Sequence, residues 1–140
     1  MRQESILYPV MAMFLLTAAV WTLMYATRIA FVRRNRIDLQ SISTPELLNA
    51  RIPGAANNAS NNLKNLFELP VIFYVLCTLL LLLHRVDAVY LFSAWAYAGL
   101  RAVHSFIHCT VNIVSFRFAA YVLSSLFLWF MVVRLAVNLL

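Results

Sequence analysis

Residues 71–83 read VIFYVLCTLLLLL, an apolar run without a charged side chain. Apolar and polar residues do not alternate in it, so it lacks the two-residue period of a strand in a membrane β-barrel. Extended to 66–83, and on the N-terminal side towards residue 63, it approaches the roughly 20 residues that a helix needs to cross a bilayer. The stretch therefore predicts a transmembrane helix and an all-α fold.

The chain is also rich in apolar residues on both sides of this run. Hydrophobic residues make up 64% of the 140 residues and charged residues 11%, whereas a soluble domain carries about a quarter charged residues. Short connections join the last three apolar stretches and favour antiparallel neighbours. We expect one transmembrane domain over 1–140, an antiparallel four-helix bundle in contact with membrane lipids, with helices at about 6–32, 63–83, 88–109 and 118–140 and a loop at about 33–62.

The net charge of +6 is concentrated between the first and second predicted helices. The cations there are Arg28, Arg33, Arg34, Arg36, Arg51 and Lys64. The positive-inside rule places this loop in the cytoplasm and, with four crossings, both termini on the opposite side. A basic cluster can also indicate nucleic-acid binding, but a cluster that flanks a membrane span is explained by topology, so we expect no nucleic-acid partner.

The predicted loop contains its own local signals. Thr44-Pro45-Glu46 is typical of a helix start, with a capping hydroxyl, a proline at the first position and an acid in the first turn. We expect a short helix after it and a break at Pro53-Gly54. The polar run at 57–62 is interpreted as a cap of the second transmembrane helix, because Asn side chains satisfy free backbone N–H groups.

Several polar residues fall inside the predicted spans, where an ionisable side chain costs about 2.5–3.5 kcal/mol and normally faces the bundle interior. Asn65 and Glu68 share one face at the start of the second helix. The third helix carries a polar stripe at spacings of three, four and four, formed by Arg101, His104, His108 and Asn112. Arg101 is the expected partner of Glu68, in a pair that would hold the bundle together or serve a site.

The fourth helix opens with Arg117 and Tyr121, which are four residues apart and share a face. Taken alone, they are typical of an arginine and a tyrosine at a membrane edge. Taken with the second and third helices, they place polar groups of three helices at one cytoplasmic rim. A histidine pair such as His104 and His108 can bind a metal, but Glu68 is the one further ligand in reach, so we expect interhelical hydrogen bonds and no metal site.

Two motifs resemble a known family. One is Asn65-x-x-Glu68-x-Pro70, and the other is Arg101-x-x-His104-Ser105 followed by Arg117-x-x-x-Tyr121. With these motifs, its length and its helix layout, the chain resembles the membrane-associated proteins in eicosanoid and glutathione metabolism over nearly its whole length. It looks like a bacterial-type member of that family. That family includes microsomal glutathione transferases, leukotriene C synthase and microsomal prostaglandin E synthase. The chain differs from it in carrying Asn61, His108 and Phe118 where family enzymes carry Arg, Tyr and, in prostaglandin E synthase, Ser.

The resemblance implies a homotrimer with glutathione held between neighbouring subunits at the cytoplasmic end. It implies that Arg117 stabilises the glutathione thiolate, because an adjacent cation lowers the pKa of a thiol. The glutathione-binding residues that it suggests are Asn65, Glu68, Arg101, His104, His108 and Tyr121. The implied activity is that of a glutathione-dependent transferase or peroxidase whose substrates are hydrophobic small molecules, namely lipophilic electrophiles.

Two other functions remain open at this stage. A non-catalytic trimeric membrane protein would bind a lipid or a partner membrane protein and use the polar cluster to hold its helices together. A transporter or channel is the weaker alternative, since the sequence shows neither broken helices nor an inverted repeat, which transporters often have.

Overall fold

The computed structural model of the protein describes residues 2–52 and 54–140, and the regular structure in these two ranges is entirely helical. Two 3₁₀ segments cover Gln3–Ile6 and Leu39–Ile42. The α-helices are α1 (Leu7–Arg34), α2 (Pro45–Arg51), α3 (Gly54–Leu66), α4 (Leu69–Leu82), α5 (Ala88–Cys109) and α6 (Val114–Leu139). The prediction of an all-α fold is confirmed.

Three helical segments within the described ranges are long and apolar enough to cross a membrane: Gln3–Arg34, Asn57–Leu82 and Val114–Leu139. The chain is therefore an integral membrane protein. The helix predicted as the fourth crossing is present as α5, whose 22 residues would reach about 33 Å. Its polar stripe keeps its mean hydropathy below that of the other three, so length and composition alone do not identify it as a span.

Helix α5 lies at the centre of the packing and contacts α6 most extensively, then α1 and α3. Asp87 at the start of α5 bonds Arg134 near the end of α6, whereas His104 near the end of α5 bonds Arg117 near the start of α6. The partner on α6 moves backwards as α5 advances, so the two helices are antiparallel.

The two faces of α5 differ sharply. Its buried face includes the polar residues Arg101, His104 and His108, whereas Phe92 and Phe106 on the other face are 68% and 69% exposed. An ionisable side chain in a membrane helix is placed most cheaply towards other helices. The polar stripe predicted from sequence therefore faces the protein interior.

The second predicted helix is broken. Helix α3 ends at Leu66, Glu68 has non-helical dihedral angles (φ −96°, ψ −103°), and α4 begins at Leu69. Pro70 lies within the first two positions of α4, and a proline inside a continuous helix would lack its N–H and clash with the carbonyl four residues earlier. The expectation of unbroken helices is therefore wrong at this point.

The expected loop at 33–62 is also corrected, since α3 begins at Gly54 and contains the polar run that was interpreted as a cap. Asn is a poor helix former, but hydrogen bonds to other helices stabilise α3 here. Asn112 Nδ2 donates to Asn58 Oδ1 at 3.1 Å, Arg28 Nη2 to Ser60 Oγ at 2.7 Å and Ser105 Oγ to Asn62 Oδ1 at 3.3 Å. The polar side of α3 is thus an interhelical surface.

The remaining boundaries differ less from expectation. The short helix predicted after Thr44 is confirmed as α2, and Thr44 Oγ1 accepts from the Leu47 N–H at 3.4 Å. Helix α2 ends at Arg51, before the expected break; Pro53 itself lies outside the described residues. Helix α6 begins at Val114 rather than near 118, so the turn after α5 is shorter than expected.

Non-glycine residues with positive φ follow three helices of the described chain, namely α1, α4 and α5. Arg36 (φ 49°) follows α1 and His84 (φ 53°) follows α4. In both, the next N–H bonds back across the last turn, from Ile37 to the Val32 carbonyl and from Arg85 to the Leu80 carbonyl. Glycine normally occupies this position, so each of these termini carries some backbone strain.

We predict that His84→Gly stabilises the protein by about 1 kcal/mol, because a glycine reaches this left-handed conformation without a steric cost. The measurement is thermal or denaturant unfolding in detergent. His84→Ala is the matched control, since it removes the imidazole but keeps the Cβ. An equal gain in the alanine variant would show that the side chain, and not the backbone, carries the cost.

Asp87 joins the start of α5 to α6. Its Oδ1 accepts from the Tyr90 N–H at 2.9 Å, and Arg134 donates to both carboxylate oxygens, at 2.9 and 2.7 Å. The Arg134 guanidinium also lies 4.2 Å from the centre of the Tyr90 ring. The hydrogen bond from Arg134 holds the pKa of Asp87 below its usual value, against the opposing effect of partial burial.

Because the folded-state pKa of Asp87 is lowered, the ion pair contributes stability above the unfolded-state pKa, and this is lost as the pH falls through the folded-state pKa. Asp87→Asn keeps a capping side chain and removes the charge. With the carboxylate 46% exposed, we expect it to cost about 0.5 kcal/mol at neutral pH and nothing at strongly acidic pH. Asp87→Ala also removes the cap and should cost about 1 kcal/mol more. A pH-independent difference between wild type and Asp87→Asn in unfolding experiments would contradict this assignment.

Candidate functional site

A small open pocket of about 220 Å³ lies where α3, α5 and α6 meet. It is lined by Asn65, His104, Val114, Arg117, Phe118 and Tyr121. Four of the seven residues predicted for the site therefore line one pocket. Arg101 and His108 lie directly behind it, and Glu68 is exposed at the break between α3 and α4.

Arg101 is fully buried and bonds to the backbone of α3. Its Nη2 donates to the Asn65 carbonyl at 2.6 Å, and its guanidinium carbon lies 5.3 Å from the centre of the Tyr121 ring. Asn65 is in the last turn of α3, where carbonyl groups carry the partial negative charge of the helix dipole. The end of α3 therefore supplies much of the counter-charge for Arg101.

The expected ion pair between Arg101 and Glu68 is not formed. The ion pairs within the described ranges are Arg2–Glu4 and Arg134–Asp87. Because the helix breaks at Glu68, this residue no longer keeps the helical register that would place it on the face of Asn65. A backbone carbonyl takes the place that the sequence assigned to the carboxylate.

The two histidines are held through their hydrogen bonds to Arg117. His104 Nδ1 lies 2.9 Å from the Arg117 carbonyl, and His108 Nε2 lies 3.3 Å from Arg117 Nη1. A carbonyl only accepts, so His104 carries a proton on Nδ1; a guanidinium only donates, so His108 Nε2 accepts and its ring is neutral. Together the two rings fix both the backbone and the side chain of Arg117.

Asn112 completes the environment of Arg117. Its Oδ1 accepts from Arg117 Nη1 at 2.5 Å, and its own Nδ2 donates to Asn58 on α3. Its backbone is in the left-handed region (φ 48°), three residues after the end of α5. Asn112 and His108 are both neutral partners, so the charge of Arg117 has no carboxylate partner among the described residues.

A cation that is oriented by neutral hydrogen bonds at the mouth of a pocket can bind an anion without first breaking an ion pair. Val114 and Phe118, which line the same pocket, are 62% and 64% exposed. The pocket therefore joins a positive centre to an apolar surface. Such an arrangement suits the stabilisation of a thiolate or another anion that reacts with an apolar molecule.

Sequence reasoning missed part of this constellation. Asn112 was recognised as part of the α5 stripe but was not assigned to the site, and Asn58 and Asn62 were interpreted as caps. Asn62 is fully buried, and its Nδ2 donates to Cys109 Sγ at 3.4 Å. The available signal was the spacing of Asn58, Asn62 and Asn65, which places the three on one face of a helix.

Several buried polar atoms on α5 have no hydrogen-bond partner within the described structure. They are Tyr97 Oη, Arg101 Nε and Nη1, His104 Nε2 and His108 Nδ1. Buried polar groups are normally satisfied by protein, water or ligand. His104 is the one of these four residues that also lines the pocket.

Comparison with curated proteins and with solved structures gives no match. In contrast, the pattern of the MAPEG family, the membrane-associated proteins in eicosanoid and glutathione metabolism, matches residues 6–137. This range includes the pocket and all helices that build it. The resemblance read from the two sequence motifs is confirmed, and the chain belongs to the MAPEG family.

Proposed function

We propose that the protein is a glutathione-dependent membrane transferase or peroxidase that acts on lipophilic electrophiles. The observation that carries this proposal is Arg117, a cation at the pocket mouth whose bonds go to the neutral groups of Asn112 and His108. A thiol has a pKa near 8.5, and an adjacent cation favours its nucleophilic thiolate. Arg117 is the residue proposed to supply that stabilisation.

The other residues fit parts of a peptide that carries an amine, carboxylates and amide groups. Glu68, exposed at the break after α3, suits the amine, while Tyr121 and His104, which line the pocket, suit polar groups of the peptide. We assign Arg101 a positioning role, because its bond to the Asn65 carbonyl fixes the end of α3. His108 has a similar role towards Arg117.

The pocket of one subunit is small for such a ligand. Its volume of about 220 Å³ lies below the 300–1,000 Å³ typical of small-molecule sites, and it is open on the side of Val114 and Phe118. This supports the proposal that a neighbouring copy supplies the missing wall, as it would in the homotrimer implied by the family resemblance. An apolar substrate would reach the same opening from the lipid.

We further propose that α5 is the fourth crossing of an antiparallel four-helix bundle, with the connection after α1 in the cytoplasm. Two observations support this topology. Helix α5 is antiparallel to α6, which is itself long and apolar enough to span a membrane. The cations after α1 also satisfy the positive-inside rule. The proposed site would then lie at the cytoplasmic end.

We expect Arg117→Ala to lower the rate of glutathione conjugation at least 100-fold, as when a preorganised charge-stabilising group is removed. The assay uses detergent-purified protein and a lipophilic electrophile, with thermal unfolding as the check on folding. Arg34→Ala is the matched control, since it removes the same charge outside the pocket lining. Full activity of Arg117→Ala, or no saturable binding of millimolar glutathione to the wild type in calorimetry, would contradict the proposal.

A second candidate function is that of a non-catalytic trimer that binds a lipid or a partner membrane protein. The observation that favours it is the bond from the buried Arg101 to the Asn65 carbonyl, which joins α5 to α3 without facing a ligand. In that case the polar cluster serves assembly alone. Glutathione would neither bind nor react, while substitutions in the cluster would change the oligomeric state.

For either function, Arg101→Leu should lower the free energy of unfolding by about 2 kcal/mol, because it removes the hydrogen bond that joins α5 to the Asn65 carbonyl. Glu68→Gln should change it by less than about 0.5 kcal/mol, since Glu68 is exposed. Size measurement in detergent then separates the functions. If both variants lose the trimer and the wild type does not bind glutathione, the non-catalytic function is supported; well-assembled trimers of both variants contradict it.

A further inference from the structure

A second, larger groove lies away from the Arg117 pocket, where α1 meets the connection that follows it. Its volume is about 580 Å³. Apolar side chains including Ile29, Val32 and Leu39 form its floor, and Arg33 and Arg36 lie at its rim. Arg28 also lines the groove and donates to Ser60 Oγ. The groove thus combines an apolar surface with three positive charges, two of them at its rim, and the proposed enzymatic function uses neither the surface nor these charges.

The rim carries an excess of positive charge. The ion pairs of the described chain involve neither Arg33 nor Arg36. Asp38 is the acid nearest in sequence, but its Oδ1 accepts from the Gln40 N–H and it does not line the groove. The two guanidinium groups are therefore complementary to an anion.

The backbone of Arg36 gives an independent indication. This residue occupies the left-handed position (φ 49°) that ends α1, where glycine would avoid strain. Strained residues of this kind occur often at ligand-binding sites, where the side chain is needed in one place. The strain here places a guanidinium on the groove.

The position in the bilayer defines what the groove meets. Helix α1 is long and apolar enough to span the membrane, and its last turn contains Arg33. The rim therefore lies at headgroup level, whereas Ile29 and Tyr25, earlier on α1, line the part nearer the hydrocarbon. An occupant with an anionic head and an apolar tail matches both ends.

We propose that this groove binds an anionic phospholipid of the surrounding bilayer. Arg33 and Arg36 hold its phosphate, because guanidinium groups donate several hydrogen bonds to phosphate oxygens, and an acyl chain lies on the apolar floor. Bound lipid fastens the connection after α1 to the end of that helix. The proposal is independent of glutathione and of Arg117.

The test is native mass spectrometry of the detergent-purified protein with equal amounts of phosphatidylglycerol and phosphatidylcholine. The wild type should retain phosphatidylglycerol preferentially. The double variant Arg33→Gln/Arg36→Gln should lose this preference roughly 30-fold, as expected for two headgroup-level charges. Arg34→Gln/Arg85→Gln removes the same net charge outside the groove and should keep the preference.

Equal loss in the two double variants would overturn the proposal in favour of non-specific attraction, and so would equal retention of both lipids by the wild type. Displacement of phosphatidylglycerol by an equal concentration of oleate would also overturn it, since oleate lacks the phosphate. In Arg36→Gly, thermal stability in neutral detergent should rise, but the further gain on adding phosphatidylglycerol should disappear. A full lipid-dependent gain in that variant would exclude Arg36 from the site.

Discussion

The hydrogen bond from Arg101 to the Asn65 carbonyl is the constraint on which the arrangement of the polar residues around the Arg117 pocket depends. A fully buried guanidinium needs a counter-charge, and the last carbonyls of a helix need hydrogen-bond partners outside that helix. The helix break before Pro70 leaves the terminal carbonyls of α3 without helical partners, and the Arg101 guanidinium lies beside them. Because each group satisfies the other, α3 is fixed against α5, and Asn65 is held at the edge of the pocket.

The remaining polar contacts follow from this docking of α3. With α3 against α5, Asn58 reaches Asn112 and Asn62 reaches Ser105. Asn112 in turn orients Arg117. The chain of contacts runs from a broken helix through two asparagines to the proposed catalytic cation. The site therefore depends on the asparagine-rich side of α3.

The sequence predicted the parts of this structure that depend on periodicity. Apolar runs located the helices, and helical spacing correctly placed the polar stripe of α5 on a buried face near Arg117 and Tyr121. It assigned Glu68 as the partner of Arg101 where the structure has the Asn65 carbonyl, because the backbone angles at Glu68 follow from the helix break and not from spacing. It also assigned 57–62 to a loop, since asparagine disfavours helices and the bonds that stabilise it there come from residues distant in sequence.

Arg117, just after the turn between α5 and α6, is held at two points. His104 on α5 bonds its backbone carbonyl, and Asn112 in the turn accepts from its guanidinium. One added residue lengthens such a connection by up to about 3.6 Å. A single insertion between Thr110 and Ile113 would therefore shift Asn112 relative to Arg117 and separate their hydrogen-bonding groups, even if both helices and their apolar packing were retained. The length of this connection is part of the site, and relatives that use the same arginine should tolerate substitutions in the turn far better than changes in its length.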